Sequence, residues 1–245
     1  MSSLRAARAP LFALLTTILI ASGPAWADES TERALPSDAP TIVIFGASYA
    51  QQWGTPRLPG FTRVINRGVT GQKTDEMLKR FNRDVIAVRP DAVLIWGYAN
   101  NITKARPHDL TNNKAVIEPH YERMIETAQK AGIDVILATE VPLTDPDGWL
   151  DDLRAWIGNL RGKESYAART SAHIREVNDR LRSLAAREGC RILDFERVFS
   201  NKQGTRKPAY AKEDLSHISA AGYKALSSYA RRELGRPQMT SARVF

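Results

Sequence analysis

Four short stretches of this chain are apolar almost throughout: TIVIF at 41–45, DAVLIWG at 91–97, IDVILATE at 133–140 and CRILDF at 190–195. A strand that is apolar on both faces must be covered on both faces, which is the condition of strands in parallel sheets. The segments between them repeat their apolar residues at helical spacing. Met77, Leu78, Phe81 and Val85 do so in 74–85, and Tyr121, Met124, Ile125 and Ala128 in 119–131. Ile174, Val177, Leu181 and Leu184 form one face of 167–188, which Gly189 ends, and a last helix is expected over 219–233. FTRVINRG at 61–68 is a fifth, shorter strand candidate. Strand and helix in alternation predict an α/β fold around a parallel sheet. Ligand sites in such sheets lie at the carboxyl ends of the strands.

The chain has 245 residues, enough for one sizeable α/β domain. Its first 27 residues have the layout of a secretory signal. Arg5 and Arg8 precede the apolar run PLFALLTTILIAS, and small Ala25 and Ala27 flank Trp26, so cleavage is expected after Ala27 and the protein is expected to be periplasmic or secreted. Residues 28–40 read as a flexible leader, 41–233 as the domain and 234–245 as a loose tail. The segment 144–164 fits the alternation less well and reads as a flap, with Trp149 and Trp156 on one face of a helix packed onto the domain. Without residues 1–27 the chain keeps 33 basic and 27 acidic residues, a net charge of +6. The basic residues are scattered, which favours a solvated surface over a nucleic-acid site. A single cysteine, Cys190, excludes an internal disulfide and reads as a core residue.

Three residue groups follow strands, and a fourth precedes the last helix. Ser48 ends IFGAS and could be a helix cap or a nucleophile. Gly68 ends the second strand in NRGVTG, where a turn glycine can expose its N–H. In GYANNI, after the third strand, Asn100 or Asn101 can aim an amide donor at a developing oxyanion, or close an Asx turn. Asp214 and His217 are three apart in EDLSH, before the last helix. That spacing lets the carboxylate reach Nδ1 and leaves Nε2 free, the orienter and base of a nucleophilic triad, or a local cap beside a surface histidine. His108, His120 and His173 have no metal-ligand spacing and read as surface residues.

Taken in order, these groups resemble the four sequence blocks of the SGNH, or GDSL, hydrolase family, across residues 41–232. The resemblance implies a flavodoxin-like three-layer α/β/α sandwich with a five-stranded parallel sheet. It implies Ser48 as nucleophile, His217 as general base and Asp214 as its orienter. The oxyanion hole would be the Ser48 and Gly68 amides with the Asn100 side chain. Two departures stand out. Ala47 occupies the place of the family aspartate, and one extra residue separates Gly97 from Asn100, which is aligned with the family asparagine in preference to Asn101.

The expected activity is hydrolysis of a carboxylic ester through an acyl-enzyme, with short acyl groups such as acetyl first, and with no metal or organic cofactor. A small-molecule or glycan ester is the expected partner. The alternatives are a non-catalytic glycan-binding protein on the same scaffold, and O-acetyl transfer to a sugar.

Overall fold

The structure, a computed structural model, describes residues 39–145 and 165–236. The expected signal and most of the leader, residues 146–164 of the expected flap with Trp149 and Trp156, and residues 237–245 lie outside the described residues.

Strand β1 (Thr41–Gly46) is followed by a short helix α1 (Ser48–Trp53), β2 (Arg63–Gly68), α2 (Thr74–Asp84) and β3 (Ala92–Trp96). Then come α3 (Ala99–Thr103), α4 (Leu110–Ala115), α5 (Ile117–Lys130) and β4 (Asp134–Ala138). The chain resumes in α6 (Tyr166–Arg187), β5 (Arg191–Leu193), α7 (Phe195–Phe199) and α8 (Ala220–Leu234). The five strands form one parallel sheet in the order β2-β1-β3-β4-β5. The chain moves outward from β1 in both directions, so the switch point lies between β1 and β3.

The continuous apolar runs divide by alternation between the two faces. Val43, Phe45, Val93, Ile95, Val135 and Leu137 pack against Met77 and Phe81 of α2, Tyr121 and Met124 of α5, and Ile174 and Val177 of α6. Ile42, Ile44, Leu94, Trp96 and Ile136 face Tyr49 and Trp53 of α1, Phe195 and Phe199 of α7, and Leu226 and Ala230 of α8. The result is the expected three-layer sandwich. Each buried aliphatic side chain contributes about 1.5–3 kcal/mol relative to exposure. Aromatic edges close the second face: Trp96 lies T-shaped to both Trp53 and Phe195, at 5.8 and 4.8 Å between centroids.

Helix α2 carries a buried charge with consequences for the site. Arg80 is buried against the Phe45 ring, its guanidinium carbon 4.1 Å from the centroid. Its Nη1 donates to Asp84 Oδ2 at 2.8 Å, and Arg83 Nε donates to Asp84 Oδ1 at 2.7 Å. The Arg83 bond first, and the Arg80 bond and charge with it, hold the Asp84 carboxyl down from 3.8 to about 2, against the opposing effect of burial. The folded state thus binds its proton less readily than the unfolded chain. The resulting stability is present above the ordinary carboxylate range and is lost as pH falls through about 2. Urea midpoints should therefore drop from roughly pH 4 to pH 2, and Asp84→Asn should flatten part of that slope while lowering the midpoint at neutral pH.

Candidate active site

Ser48 is the first residue of α1, directly above the end of β1. Ala47 occupies the cap position and supplies no side-chain acceptor. The Ser48 amide is therefore one of the unpaired donors of a helix start, and neither it nor the hydroxyl has a partner among the described residues. The turn is held from elsewhere. Ala47 N–H donates to Trp96 O at 3.2 Å. Arg80 Nη2 donates to Gly46 O at 2.9 Å and Nη1 to Arg67 O at 2.8 Å, so one guanidinium ties the exits of β1 and β2. This supplies a restraint on the turn before Ser48 that Ala47, lacking a carboxylate, cannot.

Across the site, Asp214 organises its own loop. Its Oδ1 accepts the backbone N–H groups of Ser216 and His217, at 3.0 and 2.9 Å. Its Oδ2 lies 2.6 Å from His217 Nδ1. A carboxylate acceptor places the proton on Nδ1 and leaves Nε2 as the basic nitrogen. The His217 amide, then the His217 ring and the Ser216 amide, hold the Asp214 carboxyl well below the usual carboxylate range. Leu215 between them takes a left-handed φ of 58°, which closes this turn at a cost to a non-glycine residue.

Ser48, Asn100, Glu140, Ser216 and His217 line one cavity of about 240 Å³. Ala47, Tyr49, Ala99, Thr103 and Leu143 make its walls, and exposed Tyr166 lies at its edge. Asn100 Nδ2 donates to Gln72 O at 3.0 Å, which fixes the amide and leaves its second hydrogen unspent. Asn101 points away. It is 2 % exposed, its Oδ1 accepts from Thr74 N and its Nδ2 donates to Thr74 Oγ1. Of the two asparagines, Asn100 is thus the one that reaches the cavity. His120, expected at the surface, instead reaches the same network, with Nδ1 2.8 Å from Thr74 Oγ1.

Gly68 has a different geometry from the one expected of an oxyanion donor. Its N–H is donated to Asn66 Oδ1 at 2.8 Å. A Cβ there would stand 2.2 Å from Gln51 N, so glycine is needed for α1 to sit on β2. Asn66 completes that joint by donating to Ala50 O and Gly54 O. Three residues on, Gly71 adopts φ 83° and its amide has no partner among the described residues.

Glu140 is a site residue that no motif announced. It follows β4 and is 1 % exposed. Its Oε1 accepts the amides of Tyr98 and Ala99, at 2.8 and 3.2 Å, and so caps the helix that carries Asn100. Burial pushes its carboxyl above the ordinary value, opposed by those amides and by Arg206. Among the described residues no group of three or more His, Cys, Asp or Glu is placed to hold a metal.

Residues 44–225 match the model of the GDSL-like lipase/acylhydrolase family. The chain belongs to that family. It is accordingly an ester hydrolase. It is 24 % identical over 173 residues to an acetylxylan esterase of Geobacillus stearothermophilus, covering 71 % of this chain and 72 % of the relative. Among solved structures, an acetyl-xylooligosaccharide esterase from the same genus matches with a TM-score of 0.61 and 18 % identity, over 81 % of this chain and 95 % of that one. A GDSL-like lipase from Bacteroides thetaiotaomicron matches with a TM-score of 0.59 and 19 % identity, over 80 % and 87 %. At such identities the solved structures establish the shared fold.

The Gly68 geometry yields a prediction. Gly68→Ala should force α1 away from β2 and destabilise the protein by about 1–3 kcal/mol, the cost of overpacking. A lowered urea midpoint, with activity falling in step with the folded fraction, is the expected result.

Proposed function

We propose that the protein is an exported serine esterase that removes short acyl groups, acetyl foremost, by a Ser48–His217–Asp214 triad. The observation that carries the reading is the shared cavity, which collects Ser48, Asn100 and His217 while Asp214 grips the far side of the imidazole. The cavity's volume of about 240 Å³ suits a short acyl chain. The acetylxylan esterase relative is consistent with an acetylated glycan as substrate.

Ser48 Oγ attacks the acyl carbon as His217 Nε2 takes its proton. Negative charge gathers on the carbonyl oxygen and is met by the Ser48 amide and Asn100 Nδ2. We put the Gly71 amide in place of Gly68 as the third donor. It is unpartnered, and the adjoining Gln72 carbonyl receives Asn100. His217 then gives its proton to the leaving alcohol, and the acyl group stays on Ser48. Water attacks this ester with the same base and the same donors, releasing the acid and restoring Ser48.

An acyl-length series of aryl esters tests the reading. Acetyl and propionyl esters should be cleaved fastest, and Ser48→Ala should lose activity by at least about 10³-fold. Asn100→Ala should lower kcat by roughly 10²–10³-fold, the usual effect of removing one oxyanion donor. Full rate in Ser48→Ala, or no cleavage of any ester by the wild type, would sink the proposal. In a pH profile of kcat/KM, Asp214, held ionised below the usual carboxylate range by the His217 and Ser216 amides and the His217 ring, should add no break between about pH 4 and 5, the range in which free carboxyls titrate.

A further inference from the structure

Arg206 is 0 % exposed, yet no carboxylate lies within ion-pair distance of it among the described residues. Burying a guanidinium is costly unless its donors are spent on good acceptors. The acceptors it has are informative. Nη2 donates to the Tyr49 hydroxyl at 2.7 Å. Nη1 donates to the carbonyls of Ser216 and His217, at 3.1 and 3.0 Å. Nε donates to Pro142 O at 2.8 Å. Tyr49 in turn donates its hydroxyl hydrogen to Ser216 O at 2.7 Å. Tyr49 follows Ser48, Pro142 lies two residues past Glu140, and Ser216 and His217 form the loop of the proposed base. One buried cation thus touches three of the segments that meet at the cavity.

The His217 loop needs such an anchor. Asp214, Leu215 and Ser216 are all exposed, so apolar packing does little to locate them. The Asp214 hydrogen bonds fix the ring relative to its own loop, and say nothing of where the loop stands relative to Ser48. The Tyr49 hydroxyl and the Arg206 guanidinium make that second connection. They run from the residue beside the nucleophile to the backbone of the base.

We infer that Arg206, acting with Tyr49, is a positioning residue that sets the separation and angle between Ser48 and His217. The inference rests on the triad reading given above. Loss of the link leaves the cavity and the oxyanion donors in place, so acyl binding is retained and proton transfer in the attack suffers. Its signature is a fall in kcat at constant KM. A displacement on the order of 1 Å can cost about 10²-fold in rate.

The test uses Tyr49→Phe, which removes one oxygen and keeps the ring packed on Trp96, together with Arg206→Lys. Active sites are counted by stoichiometric labelling with a fluorophosphonate, and kcat for a small aryl acetate is expressed per labelled site. Tyr49→Phe is expected to lower kcat by about 10–100-fold with KM within about twofold of wild type. Arg206→Lys should do likewise, and the double variant should fall little below the worse single one, because the two residues form one link. A variant that merely unfolds in part gives fewer labelled sites with an unchanged kcat per site. That result, or a Tyr49→Phe protein with wild-type kcat per site, overturns the inference even if Arg206→Lys fails to fold. Absence of labelling at Ser48 in the wild type overturns the triad reading, and this inference with it.

Discussion

The site depends on the register of three strands. Gly46 at the end of β1 stands opposite Gly68 of β2 on one side and Trp96 of β3 on the other. The three strands therefore finish level, and the chain leaves all of them at one place. The Ser48 turn, the Gly71 turn and the Asn100 helix are three exits from a single ledge. A slip of one residue in any strand would reverse its faces and move its exit. The buried alternation of Ile42, Val43, Ile44 and Phe45 makes such a slip prohibitive, because successive residues are matched to opposite layers. Hydrophobic burial thus fixes the positions from which the chemistry is built.

What burial cannot fix is the fine setting of the exits, and here buried polar groups take over. Arg80 holds the ends of β1 and β2 through their carbonyls. Asn66 fastens α1 to β2. Glu140 caps the Asn100 helix from the far side of β4's exit. Arg206 reaches from beyond α7 to the loop of His217. Each uses several donors or acceptors at once, which satisfies the group and restrains several backbone segments together. Ala47, where the resembled family has an aspartate, sits in a turn that is restrained in this way by its neighbours.

The layering and the five strands read directly from the sequence, because fully apolar runs and helical periodicity are local patterns that the sheet merely collects. The places of Ser48, Asn100, Asp214 and His217 around one cavity are readable for a related reason, since each follows a strand or precedes a helix whose place the pattern gives. The supporting groups are not. Arg80, Glu140 and Arg206 bind backbone atoms of residues far away in sequence, 64 positions in the case of Arg206 and the Pro142 carbonyl. A backbone carbonyl leaves no trace in residue identity, so nothing in the sequence marks its partner. Gly68 shows the converse. A glycine after a strand is consistent with an exposed amide or with close helix packing, and only the approach of Gln51 separates the two.

The central claim is that an acyl group passes through Ser48. It is tested most directly by acid-quenching the protein during turnover of an aryl acetate and mapping the added mass by peptide mass spectrometry. The account predicts one acetyl group, carried on the peptide that contains Ser48 and accumulating when release is slow. An acetyl group on another residue, or turnover with no acylated protein at any quench time and no trapping at Ser48 by a serine-directed reagent, would contradict it.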